Sequence, residues 1–285
     1  MDDAVFRDIV WQKGQELYRD MPWRHTRNPY AILVSEIMLQ QTQVERVIPK
    51  YEAFMRNFPT IKQLAEASLA DVLMQWNGLG YNRRAKYLHD AAQHICRDYN
   101  GVFPRSQRDL EALPGVGANT AGALCAYAYN MPVVFIETNI RTVYFYYYFQ
   151  GQLTVSDKEL REIVGRTLDT EHPREWYWAL MDYGAFLKRQ GAGQLAKSRH
   201  YKKQPPLKGS VREVRGAILR CLARGPCSEA SLRRSVDADD RFAVALEGLL
   251  KDGLIEWSGD NKTSSDKTKT KEHHQHQLQL PHKTV

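Results

Sequence analysis

Leu113-Pro-Gly-Val-Gly117 is the stretch that most constrains this chain. It lies between a polar helical segment, Arg108 to Ala112, and a small-residue helical segment, Asn119 to Tyr129. The two glycines permit positive φ and remove the side chains that would block a close backbone approach. A fold that contains this turn brings two short helices together in a tight hairpin. The second helix then offers its N-terminal N–H groups to an anion, and phosphate is the natural candidate. Twenty residues after Gly117, Glu137 precedes Asn139 and Arg141 at the start of another helix. A backbone cradle for phosphate followed by a carboxylate at a helix start suggests chemistry on a nucleic acid. The bland alternative is a tight turn with an ordinary N-terminal acid.

The rest of the first 205 residues predicts helices and little else. Phe6 to Leu17 has apolar residues at helical spacing, and Met21-Pro-Trp-Arg24 and Asn28-Pro-Tyr30 then break the pattern. Tyr30 to Val47 reads as one helix, rich in glutamine toward its middle. Asn82 to Tyr99 carries Ala85, Leu88, Ala92 and Ile95 at steps of three and four, an amphipathic helix. Asp157 to Leu168 and Pro173 to Leu187 follow, the second with proline in its first turn. No long alternating pattern appears, so this region reads as all-α, in about ten short helices. Val143 to Phe149 (VYFYYYF) is unusually aromatic; helix-core packing is the better reading, base stacking the other.

Beyond this region the composition changes twice. Residues 191–210 are basic and poor in apolar side chains, a linker. Residues 211–258 give three helical patterns and a short strand, Leu254 to Trp257, a winged-helix-like outline with a plain three-helix bundle as the alternative. From 259 to 285 Lys, Ser, Thr, Gln and His dominate, which predicts a disordered tail. His273, His274 and His276 there read as a solvated run rather than a metal site. The domains expected are therefore 1–190, 191–210, 211–258 and 259–285.

The bulk numbers bound the function without naming it. A chain of 285 residues with 43% hydrophobic content has a real core. The net charge of +7, 40 basic against 33 acidic residues, favours an acidic partner. No apolar run approaches the roughly 18 residues of a membrane span, and the N-terminus lacks a signal-peptide core, so no membrane partner is expected. Four scattered cysteines without a CxxC pair fit a reduced compartment, cytoplasmic or nuclear.

Ser35-Glu-Ile-Met-Leu-Gln-Gln-Thr-Gln-Val44 places Glu36 and Gln40 on one helix face. Val34, Ile37 and Met38 surround Glu36, which predicts a desolvated carboxylate with a raised pKa, as a general acid requires. At this point a resemblance covers most of the chain. PWRHTRNPYAILVSEIMLQQTQVERVIPKYEAFMRNFP, NGLGYNRRAKYLHDAA and LPGVGANTAGAL, in this order, resemble the MutY-type adenine DNA glycosylases of the helix-hairpin-helix superfamily that also contains endonuclease III. The resemblance runs from about Trp11 to Leu187. It implies a helix-hairpin-helix DNA glycosylase fold, with Glu36 as the catalytic glutamate that protonates the flipped base and helps position water. It further implies that Gln40, Gln41 and Tyr81 fill or wedge the stack beside the extruded nucleotide. Leu113, Gly115, Val116 and Gly117 would form the phosphate-holding hairpin, and Arg24 would stand near the base pocket. The chemistry is consistent: breaking an N-glycosidic bond needs a proton on the leaving base and a carboxylate beside an oxocarbenium-like sugar. The base must first leave the duplex, which favours mismatched pairs.

Four departures shape the expectation. Glu137 stands where the family has its catalytic aspartate, a displacement of about 1 Å by one methylene. Asn119 occupies the place of the endonuclease III lysine, so no lyase activity is expected. The family's four-cysteine iron–sulfur motif is missing, since Phe186 to Pro205 holds no cysteine. Lys188, Arg189, Lys197, Arg199, Lys202 and Lys203 either supply phosphate contacts instead or form a solvated loop. Trp178 replaces a glutamine that contacts adenine, and no Nudix-like segment follows. The expectation is a monomeric, monofunctional, cofactor- and metal-free glycosylase acting on a mismatched base in double-stranded DNA. Adenine opposite guanine or 8-oxoguanine is the leading substrate. Thymine or uracil opposite guanine is the rival, and a non-catalytic mismatch binder is the reading from another class.

Overall fold

A computed structural model describes residues 1–193, 205–258 and 277–281. The described chain is built from fourteen α-helices, one 3-10 turn and two short strands. It divides into two compact units: Met1–Val44 with Asp98–Lys203, and Glu45–Arg97 with Gln204–Val285. Residues of the expected 1–190 domain fall in both units. The chain leaves the first unit after its second helix and returns to it at Asp98.

The first unit is assembled on a long helix, α11 (Pro173–Arg189). It packs against α1 (Asp3–Glu16), α8 (Ala118–Tyr129) and α9 (Thr138–Tyr148), while α2 (Pro29–Leu39) and α7 (Gln107–Glu111) lie against α8. Local signals fix the helix starts. Asp2 accepts from the N–H groups of Ala4 and Val5 at α1, and Asn28 with Pro29 opens α2. Ser156 and Glu159 form a reciprocal capping box at α10 (Asp157–Thr167). The aromatic run is core: Phe6 meets Tyr144, Tyr147, Tyr148 and Trp176, and the Tyr144 hydroxyl bonds Thr167 at 2.6 Å. Packing absorbs this run, as its position within a helix suggests.

The predicted helix over 30–47 is two helices. Gln41 has φ +57°, a left-handed conformation that a helix cannot continue through, and α3 (Val44–Asn57) starts afresh. The sequence carries no proline or glycine there, so periodicity alone ran across the break.

In the second unit, Phe54, Phe58 and Trp76 form an aromatic core within α3 to α6. The elements are α4 (Ile61–Glu66), α5 (Leu69–Trp76) and α6 (Arg83–Asp98). Three more helices follow in the same unit, α12 (Val211–Leu222), α13 (Glu229–Ser235) and α14 (Arg241–Lys251). Strand β1 (Glu256–Trp257) pairs antiparallel with β2 (Leu278–Gln279), and Cys227 bridges to Leu278. A helix, a bridge residue, two helices and two paired strands is the order of a winged helix. Within the expected tail, 259–285, this pairing is a correction at residues 277–281 alone: Leu278 and Leu280 are buried, and the N–H of Ala70 donates to the carbonyl of Pro281. Gln277-Leu-Gln-Leu280 alternates with period two, a strand signal that the polar average of the surrounding segment conceals. The tail histidines lie outside the described residues.

Candidate active site

Helix α2 is apolar almost all round, with Tyr30 to Ser35, Ile37 and Met38 buried. A helix of this kind belongs in an interior, and Glu36 interrupts it with a carboxylate. Glu36 lines a cavity of about 160 Å³ together with Trp23, Arg24, Tyr127, Asn139 and Trp178. A space of roughly 150 Å³ admits a benzene-sized ring, so the cavity suits one planar heterocycle. Burial, reinforced by the charge of Glu137, pushes the Glu36 carboxyl up to about 8. At neutral pH it holds a proton beside a ring-sized space.

Glu137 is the N-cap residue of α9, and burial raises its pKa as well, opposed by the N–H of Thr138. Of the two acids, Glu137 is therefore the one whose anion is supported, by that N–H and by the helix start. Asn119 fixes the approach to it. The Asn119 amide donates to the carbonyl of Ile136 at 3.0 Å and accepts from the N–H of Ile136 at 3.2 Å. Both ends of this side chain are thus spent on the residue before Glu137. Sequence reading had placed Asn119 against the substrate, whereas the structure makes it a clamp on the loop that carries Glu137, away from the cavity lining.

Arg24 and Trp178 do line the cavity. The Arg24 side chain lies between the rings of Tyr18 and Trp178, at 5.0 and 5.3 Å. Its Nη1 and Nη2 donate to the Asp182 carboxylate at 2.7 and 2.9 Å, both side chains being 2% exposed or less. Arg19 Nε donates to the same carboxylate at 2.6 Å, and Arg24 Nε is buried without a partner. Burying charge this way costs free energy unless every group is satisfied. Asp182 thus fixes the Arg24 guanidinium in the wall of the cavity. Tyr127 stacks on Trp178, with ring centroids 6.3 Å apart.

Sequence reading missed Tyr127, Asp182 and Arg19. Asp182 had a signal: it lies four residues after Trp178, amid the apolar Leu180, Tyr183 and Leu187. Tyr127 had none beyond its helix. Gly184 was also missed: a Cβ there would stand 2.1 Å from the carbonyl oxygen of Asn139. That crossing of α11 and α9 sets Asn139 against the cavity.

The hairpin is as expected in place but not in detail. Gly115 has φ +74°, whereas Gly117 is extended at φ −91° and is the N-cap of α8. A Cβ on Gly117 would meet nothing within 4 Å, so neither conformation nor protein packing requires glycine there. A ligand that approaches the backbone closely would. Leu113 and Val116 are buried, at 2% and 5% exposure. They anchor the turn in the core and leave Gly115 and Gly117 as its exposed backbone. Gln40 caps α2 and reaches the Thr120 hydroxyl at 3.4 Å, while Gln41 is exposed. In the second unit, Tyr81 has φ +48°. Gln41 and Tyr81 are unusual as non-glycine residues in left-handed backbone, strain that collects at functional positions. Lys197, Arg199, Lys202 and Lys203 lie outside the described residues.

The iron–sulfur cluster that the resemblance associates with such domains needs four thiolates in one place. Cys125 belongs to the first unit and Cys96, Cys221 and Cys227 to the second, all free. Among the described residues no group of three or more His, Cys, Asp or Glu side chains is placed to hold a metal. The donor set does not fit the cluster.

Residues 34–167 match the family model described as HhH-GPD superfamily base excision DNA repair protein. The chain is 36% identical over 269 residues to the adenine DNA glycosylase of Mycolicibacterium smegmatis, covering 86% of this chain and 90% of that one. It is 35% identical over 173 residues to the adenine DNA glycosylase of Buchnera aphidicola subsp. Baizongia pistaciae, covering 59% of this chain and 48% of the relative. It spans about half the length of several curated relatives that it matches. Among solved structures it is similar to a thermostable thymine-DNA glycosylase, with TM-score 0.60 and 29% identity over 64% of this chain and 86% of that one. The chain belongs to the HhH-GPD superfamily and, within it, to the MutY-type adenine DNA glycosylase family.

Proposed function

We propose that the protein hydrolyses the N-glycosidic bond of adenine mispaired with guanine or 8-oxoguanine in double-stranded DNA. The observation that carries this reading is the Glu36 carboxyl lining a ring-sized cavity, where burial and the charge of Glu137 push it up to about 8. Glu36 gives its proton to a ring nitrogen of the extruded base, so that the base departs neutral. The Glu137 carboxylate stabilises positive charge on the sugar as the bond lengthens. Water, oriented by the Glu36 carboxylate left behind, then adds at the sugar carbon and gives its proton to that carboxylate, which restores the acid. Tyr127 and Trp178 supply aromatic surface for the base, with Arg24 in the wall beside them.

The reaction stops at base release. A lyase step needs an amine that attacks the sugar, and the position the superfamily uses for one holds Asn119, spent on Ile136. The reading assigns no metal or cofactor, which the cysteine-free stretch from Phe186 to Pro205 supports. The enzyme acts as a monomer on a mismatched duplex. Gly115 and Gly117 hold a phosphate through backbone N–H groups, Gln40, Gln41 and Tyr81 fill the stack, and Lys202 and Lys203 contact phosphates.

A second reading is removal of thymine or uracil opposite guanine. The match to a thymine-DNA glycosylase structure and Trp178 in place of glutamine favour it. The test is to incubate the protein with duplexes carrying each mismatch and cleave abasic products with alkali. Cleavage at adenine supports the proposal, cleavage only at thymine or uracil supports the second reading, and tight binding without cleavage makes the protein a mismatch binder.

A further inference from the structure

The loop Gly78 to Asn82 is held from two sides within the second unit. On its own side, the Trp76 indole donates to the carbonyl of Gly80 at 3.1 Å, and Arg84 Nη2 donates to the carbonyls of Leu79 and Gly80 at 3.2 and 3.1 Å. Arg84 also lies 5.4 Å from the centre of the Tyr81 ring. On the other side stands α12, more than 120 residues later in the chain. Arg212 Nη1 donates to the Tyr81 hydroxyl, its guanidinium carbon lies 5.4 Å from the same ring centre, and Nη2 donates to the carbonyls of Pro205 and Pro206 at 2.7 and 3.3 Å.

A second tie runs parallel to the first. Arg215, one turn after Arg212 on α12, donates to Asp252 at 2.5 Å, and Asp252 accepts from Arg83 at 2.8 and 2.9 Å. Residues three apart share a helix face, so one face of α12 reaches Tyr81 and, through Asp252, Arg83. The two guanidinium groups and the left-handed backbone of Tyr81 together leave the ring little rotational freedom.

We propose that Arg212 is a positioning residue for base extrusion: it holds the Tyr81 ring and hydroxyl in the orientation from which the ring enters the DNA stack. The C-terminal winged-helix segment thus takes part in mismatch engagement through α12. This inference rests on the reading of Tyr81 as the wedge. A wedge that is free to rotate must be ordered during binding, whereas a wedge already held spends nothing on that step. Because only the mismatch-specific step uses the wedge, Arg212 should affect that step and leave binding to matched duplex alone.

The experiment uses the full chain and duplexes with 2-aminopurine beside an A:G mismatch, whose fluorescence rises on unstacking. Arg212→Ala should slow the rise and cut the ratio of mismatched to matched affinity by about 3- to 10-fold, the cost of ordering one rotamer-rich side chain. Matched-duplex affinity should stay within twofold. Arg212→Lys, which keeps the charge, should not restore the ratio. Tyr81→Phe, which leaves the bonds of Arg212 to Pro205 and Pro206 in place, should reproduce part of the loss. In a Tyr81→Ala background, Arg212→Ala should add nothing. Equal weakening of matched and mismatched binding, rescue by lysine, or an undiminished effect without Tyr81 would each assign Arg212 to a phosphate instead and overturn the proposal. If Tyr81→Ala itself leaves the fluorescence rise unchanged, the wedge reading falls and this inference with it. A Tyr81→Ala defect with a normal Arg212→Ala refutes the inference alone.

Discussion

Glu36→Gln should stabilise the folded protein at neutral pH while removing its activity, and the gain should grow with pH. Burial and Glu137 move the carboxyl from the ordinary value of 4.5 to about 8. The folded state therefore keeps its proton across a range in which the unfolded chain has released it. Stability from a group with a raised folded pKa is fully present below the unfolded value and is lost as pH rises through the folded one. The slope inside that window is about 1.4 kcal/mol per pH unit, so the interval from 4.5 to 7 amounts to about 3 kcal/mol. Glu36 is only half-buried where it lines the cavity, and solvent screening brings the expectation nearer to about 2 kcal/mol. Glutamine reproduces the neutral side chain without the titration. Urea unfolding at pH 5, 7 and 8, followed by tryptophan fluorescence, should find variant and parent within about 1 kcal/mol at pH 5. The variant should then lead by about 2 to 4 kcal/mol at pH 8. Its single-turnover rate should fall by at least about 100-fold, and the parent's rate should decline above about pH 8. A stability difference that stays constant from pH 5 to 8 would mean that Glu36 is ionised at neutral pH, and the general-acid role would be refuted.

Other perturbations test the surrounding structure. Gly184→Ala places a methyl group 2.1 Å from the Asn139 carbonyl oxygen and must displace the start of α9; base release should drop by about 100-fold, read in single turnover, with duplex affinity nearly kept. Asp182→Asn leaves Arg24 buried without its counter-charge and should destabilise the protein by about 3 to 5 kcal/mol, measured by urea unfolding. Gly117→Asp adds a negative side chain where the backbone should meet phosphate, so electrophoretic mobility shifts should show every duplex, matched or mismatched, bound at least about tenfold more weakly.

The legible parts of the fold were those with a strong local signal. Helical periodicity located α6, α10, α11 and α12, because each turns one apolar face to a core. It failed at Gln41, where a left-handed residue breaks a helix without proline or glycine, and at Leu278, where two apolar residues carry a strand inside a polar stretch. Glu36 was readable as an acid in an apolar helix, and Arg24 and Trp178 as cavity residues through the resemblance. The hold of Asn119 on Ile136 was not readable, because identity at a motif position does not say where a side chain points; its hydrogen bonds depend on a loop seventeen residues away. Tyr127 reaches the cavity, and Asp182 reaches Arg24 in its wall, only through helix packing, which one-dimensional spacing does not contain. The division of the first 190 residues between two units was likewise invisible, since every connecting segment has ordinary composition.

The most direct test of the central claim is the base set free from an A:G duplex under single-turnover conditions, identified by chromatography and mass. The parent protein should release free adenine and leave an abasic strand that breaks only with alkali. Glu137→Gln should bind the same duplex and release nothing, whereas Glu137→Asp should remain active. Tight binding with no base released from that duplex or from one with adenine opposite 8-oxoguanine, or adenine release undiminished by Glu137→Gln, would contradict the account.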